Sequence, residues 1–338
     1  LQLLLTKPPS RRPSRRWGPR ARDATKSSAV RRADRLTLLS KRNITVLALL
    51  AALGLVALWL LSAPRGLTLA DLPQHQPDVA NGEILYHAAG CWSCHKPGTD
   101  LKDVDPNLPA GGFPLKTPVG TFYPPNLTPD PATGLGTWSD LDFVNAVQRG
   151  VSPAGANLIP AFPYTSYAHM RVEDVLDIKA YLATLPAIDS PARSAEIPLP
   201  ALLRRGVGLW KWIGLDTTPW EPDPVQSASW NRGSYLVNGP GHCAECHTPR
   251  NVFMALDTSQ ALAGGPHPEG EGRVPSLRGL IERGRYKDAK DIASALQFGE
   301  MLGYDKLSSG GMGQVQRNIA KLPEADIQAI GAYLASLK

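Results

Sequence analysis

The sequence predicts a mainly α protein in which one membrane helix near the N-terminus precedes two tandem copies of a single helical domain. Three observations predict this. Residues 44–63 form a run of 20 residues without a charge. The pattern Cys-x-x-Cys-His occurs twice, at 91–95 and 243–247, and uses all four cysteines. Two distant segments, AHMRVEDVLDIKAYLATL and AKLPEADIQAIGAYLASL, align without a gap. The 338 residues leave room for two domains and additional segments. The boundaries implied are an arm at 1–43, a span at 44–63, a linker at 64–77, a first domain at 78–186, a linker at 187–228 and a second domain at 229–338.

The arm comes first. Residues 1–42 hold 13 Lys and Arg against two acids, Asp23 and Asp34. They carry Pro and Ser without apolar periodicity, the composition of a disordered segment. Residues 66–338 hold 22 basic against 28 acidic residues. The overall net charge of +6 therefore belongs to the arm, and the bulk of the chain is mildly acidic. That argues against nucleic acid as a partner. The uncharged run follows directly. At about 1.5 Å per residue, 20 helical residues cover about 30 Å, the thickness of one hydrocarbon layer. A secretory h-region is usually shorter, about 7–15 residues, although a long cleaved signal is the competing reading. Dense basic residues before the run, against Arg65 alone just after it, place the arm in the cytoplasm and the rest outside.

Each domain opens and closes with a helix. The first opens with DVANGEILYHAAG (78–90) and closes with RVEDVLDIKAYLATLP (171–186). The second opens with SWNRGSYLVNGPGH (229–242) and closes with PEADIQAIGAYLASLK (323–338). Val175, Ile178 and Leu182, like Ile327, Ile330 and Leu334, fall at helical spacing. Both closing helices have acids in the first turn, and Pro323 suits a first helical position. SDLDFVNAVQRG (139–150) reads as a further helix, with Ser139 as N-cap and Gly150 as its stop. KDAKDIASALQFG (287–299) is its counterpart. The interval exceeds solenoid periods, so a duplicated domain is implied. The intervening linker is Pro-rich at both ends. Its amphiphilic centre, Leu202–Leu215 with Trp210 and Trp212, suits packing across both domains, or contact with a membrane surface or partner.

Cys-x-x-Cys-His is the attachment pattern for c-type haem. The two thiols add to the two vinyl groups of one haem, and the histidine supplies an iron ligand. Cys91, Cys94 and His95 would hold one haem, and Cys243, Cys246 and His247 a second, giving two covalently bound haem c groups. A zinc site uses Cys pairs about 15–20 residues apart, whereas Cys94 and Cys243 are 149 apart. A thioredoxin-like pair needs a strand–helix context. Two small disulfides suit an oxidising compartment but leave the repeated histidine unexplained. Export also fits, because c-type haem is attached outside the cytoplasm.

The sixth ligand decides what such an iron does, and methionine closes it to substrates. Met254 is too near His247 to reach the opposite face. Met312, in the flexible stretch SSGGMGQVQ, is the preferred ligand of the second iron, with Met301 as competitor. In the first domain Met170 stands 75 residues after His95. It aligns with Leu322, while Phe162 holds the usual ligand position. Met170 is the candidate, with His169 or no ligand as the alternatives. The iron ligands are then His95, Met170, His247 and Met312. His75, His87, His242 and His267 read as surface or loop residues.

These residues make each domain cytochrome c-like. Residues 78–338 resemble the membrane-anchored cytochrome c subunits of bacterial periplasmic dehydrogenases for alcohol, gluconate and sorbitol, and relatives paired with molybdenum hydroxylases. The matching stretches are PPNLTPDPATGLGTWSDLDFVNAVQRGVSP, IPAFPYTSYAHM and PDPVQSASWNRGSYLVNGPGHCAECHTPRN. Many such subunits carry three haems where this chain has motifs for two, and many carry Met in place of Phe162. The resemblance implies an electron-transfer subunit without its own catalysis. Its partners would be a catalytic dehydrogenase subunit and a quinone, another cytochrome or a terminal oxidase. It would sit in the bacterial inner membrane as a single-pass protein with its haem domains in the periplasm. The acidic exported surface suits a basic patch on a partner cytochrome. The competing class is a dihaem enzyme, such as a peroxidase or a thiosulfate-oxidising cytochrome.

Overall fold

The computed structural model describes residues 41–117, 120–198, 200–268, 272–299 and 311–338. The arm up to residue 40 and Met301 lie outside the described residues. The chain divides into two compact units, one ending at Leu58 and the other spanning Trp59–Lys338. The apolar run forms helix α1 (Lys41–Leu61). Its stretch Asn43–Leu61 is, among the described residues, the one helix long and apolar enough to cross a membrane.

The second unit is helical, with two short antiparallel hairpins. Its first half holds α2 (Val79–Ala88), α3 (Cys91–His95), strands β1 (Leu115–Thr117) and β2 (Gly120–Phe122), α4 (Asp140–Val144), α5 (Tyr164–Tyr167) and α6 (Val172–Ala183). Helix α7 (Pro200–Gly214) follows. The second half holds α8 (Ala228–Asn238), α9 (Ala244–His247), strands β3 (Gly265–Pro266) and β4 (Arg273–Val274), α10 (Ala289–Phe298), α11 (Gly311–Ile319) and α12 (Glu324–Ser336).

The helix starts follow from capping. The Asp78 carboxylate accepts from the backbone N–H groups of Ala80 and Asn81, and Ser227 accepts from Trp230. Ser139 caps α4 by accepting from Asp142, and Gly150 ends the following turn in the left-handed region at φ 57°. Between them the helix is not uniform, because residues Asn145–Arg149 open into a π turn. There the buried Gln148 amide donates to the Met170 carbonyl at 2.7 Å. Pro323 lies one position earlier than the sequence suggests, as the N-cap of α12.

The pairs α2/α6 and α8/α12 cross in the same way. A Cβ on Gly82 would lie 2.0 Å from the Asp177 carbonyl oxygen and 3.0 Å from the Tyr181 Cβ. A Cβ on Gly233 would lie 1.9 Å from the Ala329 oxygen and 2.9 Å from the Tyr333 Cβ. Glycine is therefore required at both crossings. Side chains pin each pair at matching places. Asn81 Nδ2 donates to Asp174 and Asp177 at 2.8 and 2.7 Å, and Arg232 grips Asp326 with two bonds of 2.9 and 2.7 Å. The apolar faces of both pairs join one continuous core that includes Leu85, Ile178 and Leu182 with Leu236, Ile327 and Leu334.

Candidate functional site

Both Cys-x-x-Cys-His motifs begin as short helices directly after the opening helix of each half. Each is entered through a residue in the left-handed region, Gly90 at φ 62° and His242 at φ 42°. Non-glycine residues are uncommon there, histidine being among the few enriched in it. Each motif is then tied down identically. Gly111 donates to the His95 carbonyl and Gly264 to the His247 carbonyl, both at 2.7 Å. Both glycines are left-handed, at φ 74° and 73°.

The histidine rings are set by the same device. His95 Nδ1 lies 2.8 Å from the Pro125 carbonyl oxygen, and His247 Nδ1 lies 2.8 Å from that of Pro275. A carbonyl only accepts, so Nδ1 carries the proton and Nε2 presents its lone pair. This is the arrangement that orients a ligating imidazole. Burial holds His95 down to about 4, and it lowers His247 as well. Both rings are therefore neutral at neutral pH, the form that binds iron.

The two motifs open into one continuous cavity of about 1480 Å³, lined by all four cysteines and by both histidines. An ordinary small-molecule pocket is about 300–1,000 Å³. No disulfide joins any of the four cysteines, so the disulfide reading is not met. Burial, with the neighbouring thiol second, pushes Cys91 and Cys243 up to about 12. Among the described residues no group of three or more His, Cys, Asp or Glu side chains assembles as a metal site, so the zinc reading is not met either. The wall also offers Arg193 and Arg285, cations suited to the carboxylates of a haem. Tyr286 Oη, in the same wall, is buried without a hydrogen-bond partner. A bound group with polar substituents would satisfy it. The residues therefore fit two haems.

Met170, Met312 and Phe162 all line the cavity. Met312 does not sit in a loop, as the glycines before it suggested, but in the first turn of α11, packed against the core. Met170 is 2% exposed. Its N–H donates to Tyr167 at 3.0 Å as that of Leu322 does to Ile319, so the two residues hold equivalent places. Its side chain approaches the second half, 3.5 Å from where a Cβ on Gly239 would lie. His169 is not in the cavity wall; its Nδ1 meets the Thr218 carbonyl at 2.7 Å. His75 is held 2.6 Å from Asp177, and His87 is half-buried beside the Tyr86 ring. His242 is a loop residue, between α8 and α9. It lies in the cavity wall with its ring edge-on to Tyr167 at 5.9 Å, and its Nε2 is 3.8 Å from where a Cβ on Gly90 would be. His267 lines the cavity too.

Sequence reasoning missed a reciprocal clasp. Asn318 Nδ2, on α11 of the second half, donates to Ser93 Oγ inside the first motif at 2.8 Å. Ser166 Oγ, on α5 of the first half, donates to Glu245 Oε1 inside the second motif at 3.0 Å, and Thr165 Oγ1 donates to the same oxygen. Ser93 and Glu245 hold the same place in their motifs, and Ser166 and Asn318 each lie two residues before the aligned closing stretches. Each half thus holds the other's motif. The ungapped alignment starts at Ala168 and Ala320, two residues after this pair, and carried no sign that either residue reached across.

The cytochrome c family model matches residues 79–186. The chain is 39% identical over 302 residues to a dihaem c-type cytochrome of Cereibacter sphaeroides, covering 87% of this chain and 97% of that protein. It is 35% identical to the cytochrome c subunit of gluconate 2-dehydrogenase of Pantoea cypripedii, and 34% identical to the cytochrome subunit of fructose dehydrogenase of Gluconobacter japonicus. Those matches cover 80% and 78% of this chain but only 62% and 53% of the relatives. With the match to the family model and near full-length similarity to a dihaem member, this chain belongs to the cytochrome c family.

Proposed function

We propose that this chain is a dihaem electron-transfer cytochrome c, without catalysis of its own, that takes electrons from a catalytic dehydrogenase subunit. It passes them to a quinone, another cytochrome or a terminal oxidase of the respiratory chain. The observation that carries this reading is the single cavity lined by both motifs, each with its histidine Nε2 free to ligate. The cofactors proposed are two haem c groups, and the two halves, 78–186 and 229–338, are read as tandem cytochrome c domains. When bound, the haems supply one-electron redox chemistry.

The chain's own residues do the rest. Cys91, Cys94, Cys243 and Cys246 fix the two groups covalently. His95 and His247 are held neutral and oriented by their carbonyl partners. Met312 and Met170 are proposed as the further residues that would hold the two irons, each the described methionine that its half brings to the wall. The clasp holds the two motifs in a fixed relation, which a short electron path requires. The names of the dehydrogenase subunits among the relatives support a dehydrogenase partner. No relative supports the peroxidase alternative. The helix α1 is read as the single membrane anchor, with the arm cytoplasmic and the haem domains in the periplasm of a bacterial inner membrane.

The test is reduction by a dehydrogenase. The detergent-extracted holoprotein is isolated with whatever large subunit accompanies it, and that subunit's substrate is added anaerobically. Reduction of both haems followed by reoxidation with a quinone analogue or an oxidised cytochrome supports the proposal. Substrate turnover that leaves both haems oxidised contradicts it.

A further inference from the structure

Helix α7 has its polarity reversed. Its inward face carries Lys211 and Arg204 beside Val207. Lys211 is 4% exposed, and its ammonium donates to the carbonyls of Arg149 and Gly150 and to Asn157 Oδ1, at 2.6, 2.8 and 2.9 Å. Three donors meet three acceptors. Arg204 donates to the Asn157 carbonyl at 3.0 Å. Its outward face carries apolar side chains, with Leu202, Trp212 and Ile213 exposed by 68%, 57% and 58%. With Arg205 and Leu209 these positions recur at helical spacing and form one stripe. A helix of a water-soluble surface would be turned the other way.

The same stripe joins the end of the apolar run. Trp212 Nε1 donates to the Leu61 carbonyl at 2.9 Å, and the Arg65 guanidinium stacks on the Trp212 ring at 3.6 Å. Arg205 donates to the Trp59 carbonyl at 3.2 Å and lies over the Trp59 ring at 5.1 Å. Two indoles and two guanidinium groups thus share one level, where the run Asn43–Leu61 ends. Indole rings and basic side chains are the groups that populate the boundary between hydrocarbon and headgroups.

We propose that α7 is an interfacial helix whose Leu202–Trp212–Ile213 face lies in the headgroup zone of the bilayer that the apolar run enters. It would act as a second membrane contact, holding the cavity at a fixed height above the lipid. The proposal rests on the reading of α1 as a membrane span. A bilayer is favoured over a protein partner because the stripe is continuous with residues 59–65 and is edged by Arg65 and Arg205, which suit anionic headgroups.

The test uses the full-length holoprotein, alone, in phosphatidylethanolamine and phosphatidylglycerol vesicles. The four native cysteines are consumed in haem attachment, so one introduced thiol is the reactive one. Leu202→Cys and Ile213→Cys probe the stripe, Asp103→Cys reports on exposed surface, and Leu53→Cys reports on the span. The probe is a charged, membrane-impermeant maleimide. Leu202→Cys and Ile213→Cys are expected to react about tenfold more slowly than Asp103→Cys, the factor that each 1.4 kcal/mol or so of sequestration gives. Reaction at the Asp103→Cys rate, with Leu53→Cys protected, overturns the interfacial helix and leaves the span standing. Rapid reaction of Leu53→Cys as well overturns the span on which the proposal rests. Protection of the stripe only after a dehydrogenase is added assigns the face to a protein and overturns the proposal.

Discussion

Truncating Glu245 to alanine should uncouple the two halves. Its side chain is 13% exposed. One carboxylate oxygen accepts from Thr165 and Ser166 across the halves, and the other pairs with Arg250 of its own half at 2.7 Å. A hydrogen bond to a charged group contributes about 1.5–3 kcal/mol, so the two hydroxyl bonds together stand for about 3 kcal/mol at the low end. The opposite arm of the clasp, Asn318 to Ser93, is a neutral bond of about 1 kcal/mol. Glu245→Ala, Ser166→Ala and the double variant form a cycle, measured by denaturant unfolding of the holoprotein. The coupling should be about 1.5 kcal/mol or more. Arg250→Ala serves as the control that removes only the pair within one half. The Glu245→Ala protein should also unfold in two steps where the wild type unfolds in one. Zero coupling, with a single unchanged transition, would refute the clasp.

Three further outcomes are expected. Met312→Leu should lower the potential of the haem held by His247 in a spectroelectrochemical titration, since a thioether ligand raises it; an unchanged titration would move the ligand role to Met301. Met170→Leu should remove about half of the long-wavelength sulfur-to-iron absorption of the oxidised protein, two thioether ligands being proposed; full retention would make Met170 a packing residue like Leu322. Gly233→Ala forces a methyl to within 1.9 Å of the Ala329 oxygen and should destabilise by about 1–3 kcal/mol through overpacking. An unfolding midpoint equal to wild type would show that the α8/α12 crossing yields freely.

Much of this architecture was legible in the sequence because it depends on local rules. Ser139 followed by Asp142, the left-handed Gly150, and apolar residues at Val175, Ile178 and Leu182 each specify helix limits or faces within a few residues. The haem motifs were legible because five adjacent residues carry the chemistry. The π turn at 145–149 was not; its buried Gln148 bonds Met170, a partner no local pattern names. Met312 was misread because the preceding glycines suggest a loop, while packing of Met312 and Val315 against the core supports a helix. The place of His242 in the cavity wall was not legible, because Gly90 and Tyr167 of the other half supply the surface it meets. The reversed polarity of α7 was invisible for the same reason. Composition shows an amphiphilic helix, but only the carbonyls that receive Lys211 show which face turns inward.

The most direct test is the intact mass of the polypeptide purified from cells able to attach haem. The mass should exceed that of the bare chain by two haems that survive acid–acetone extraction, with Cys91→Ala/Cys94→Ala and Cys243→Ala/Cys246→Ala each removing one. A polypeptide carrying no covalent haem, or keeping both in either double variant, would contradict the assignment of the two motifs.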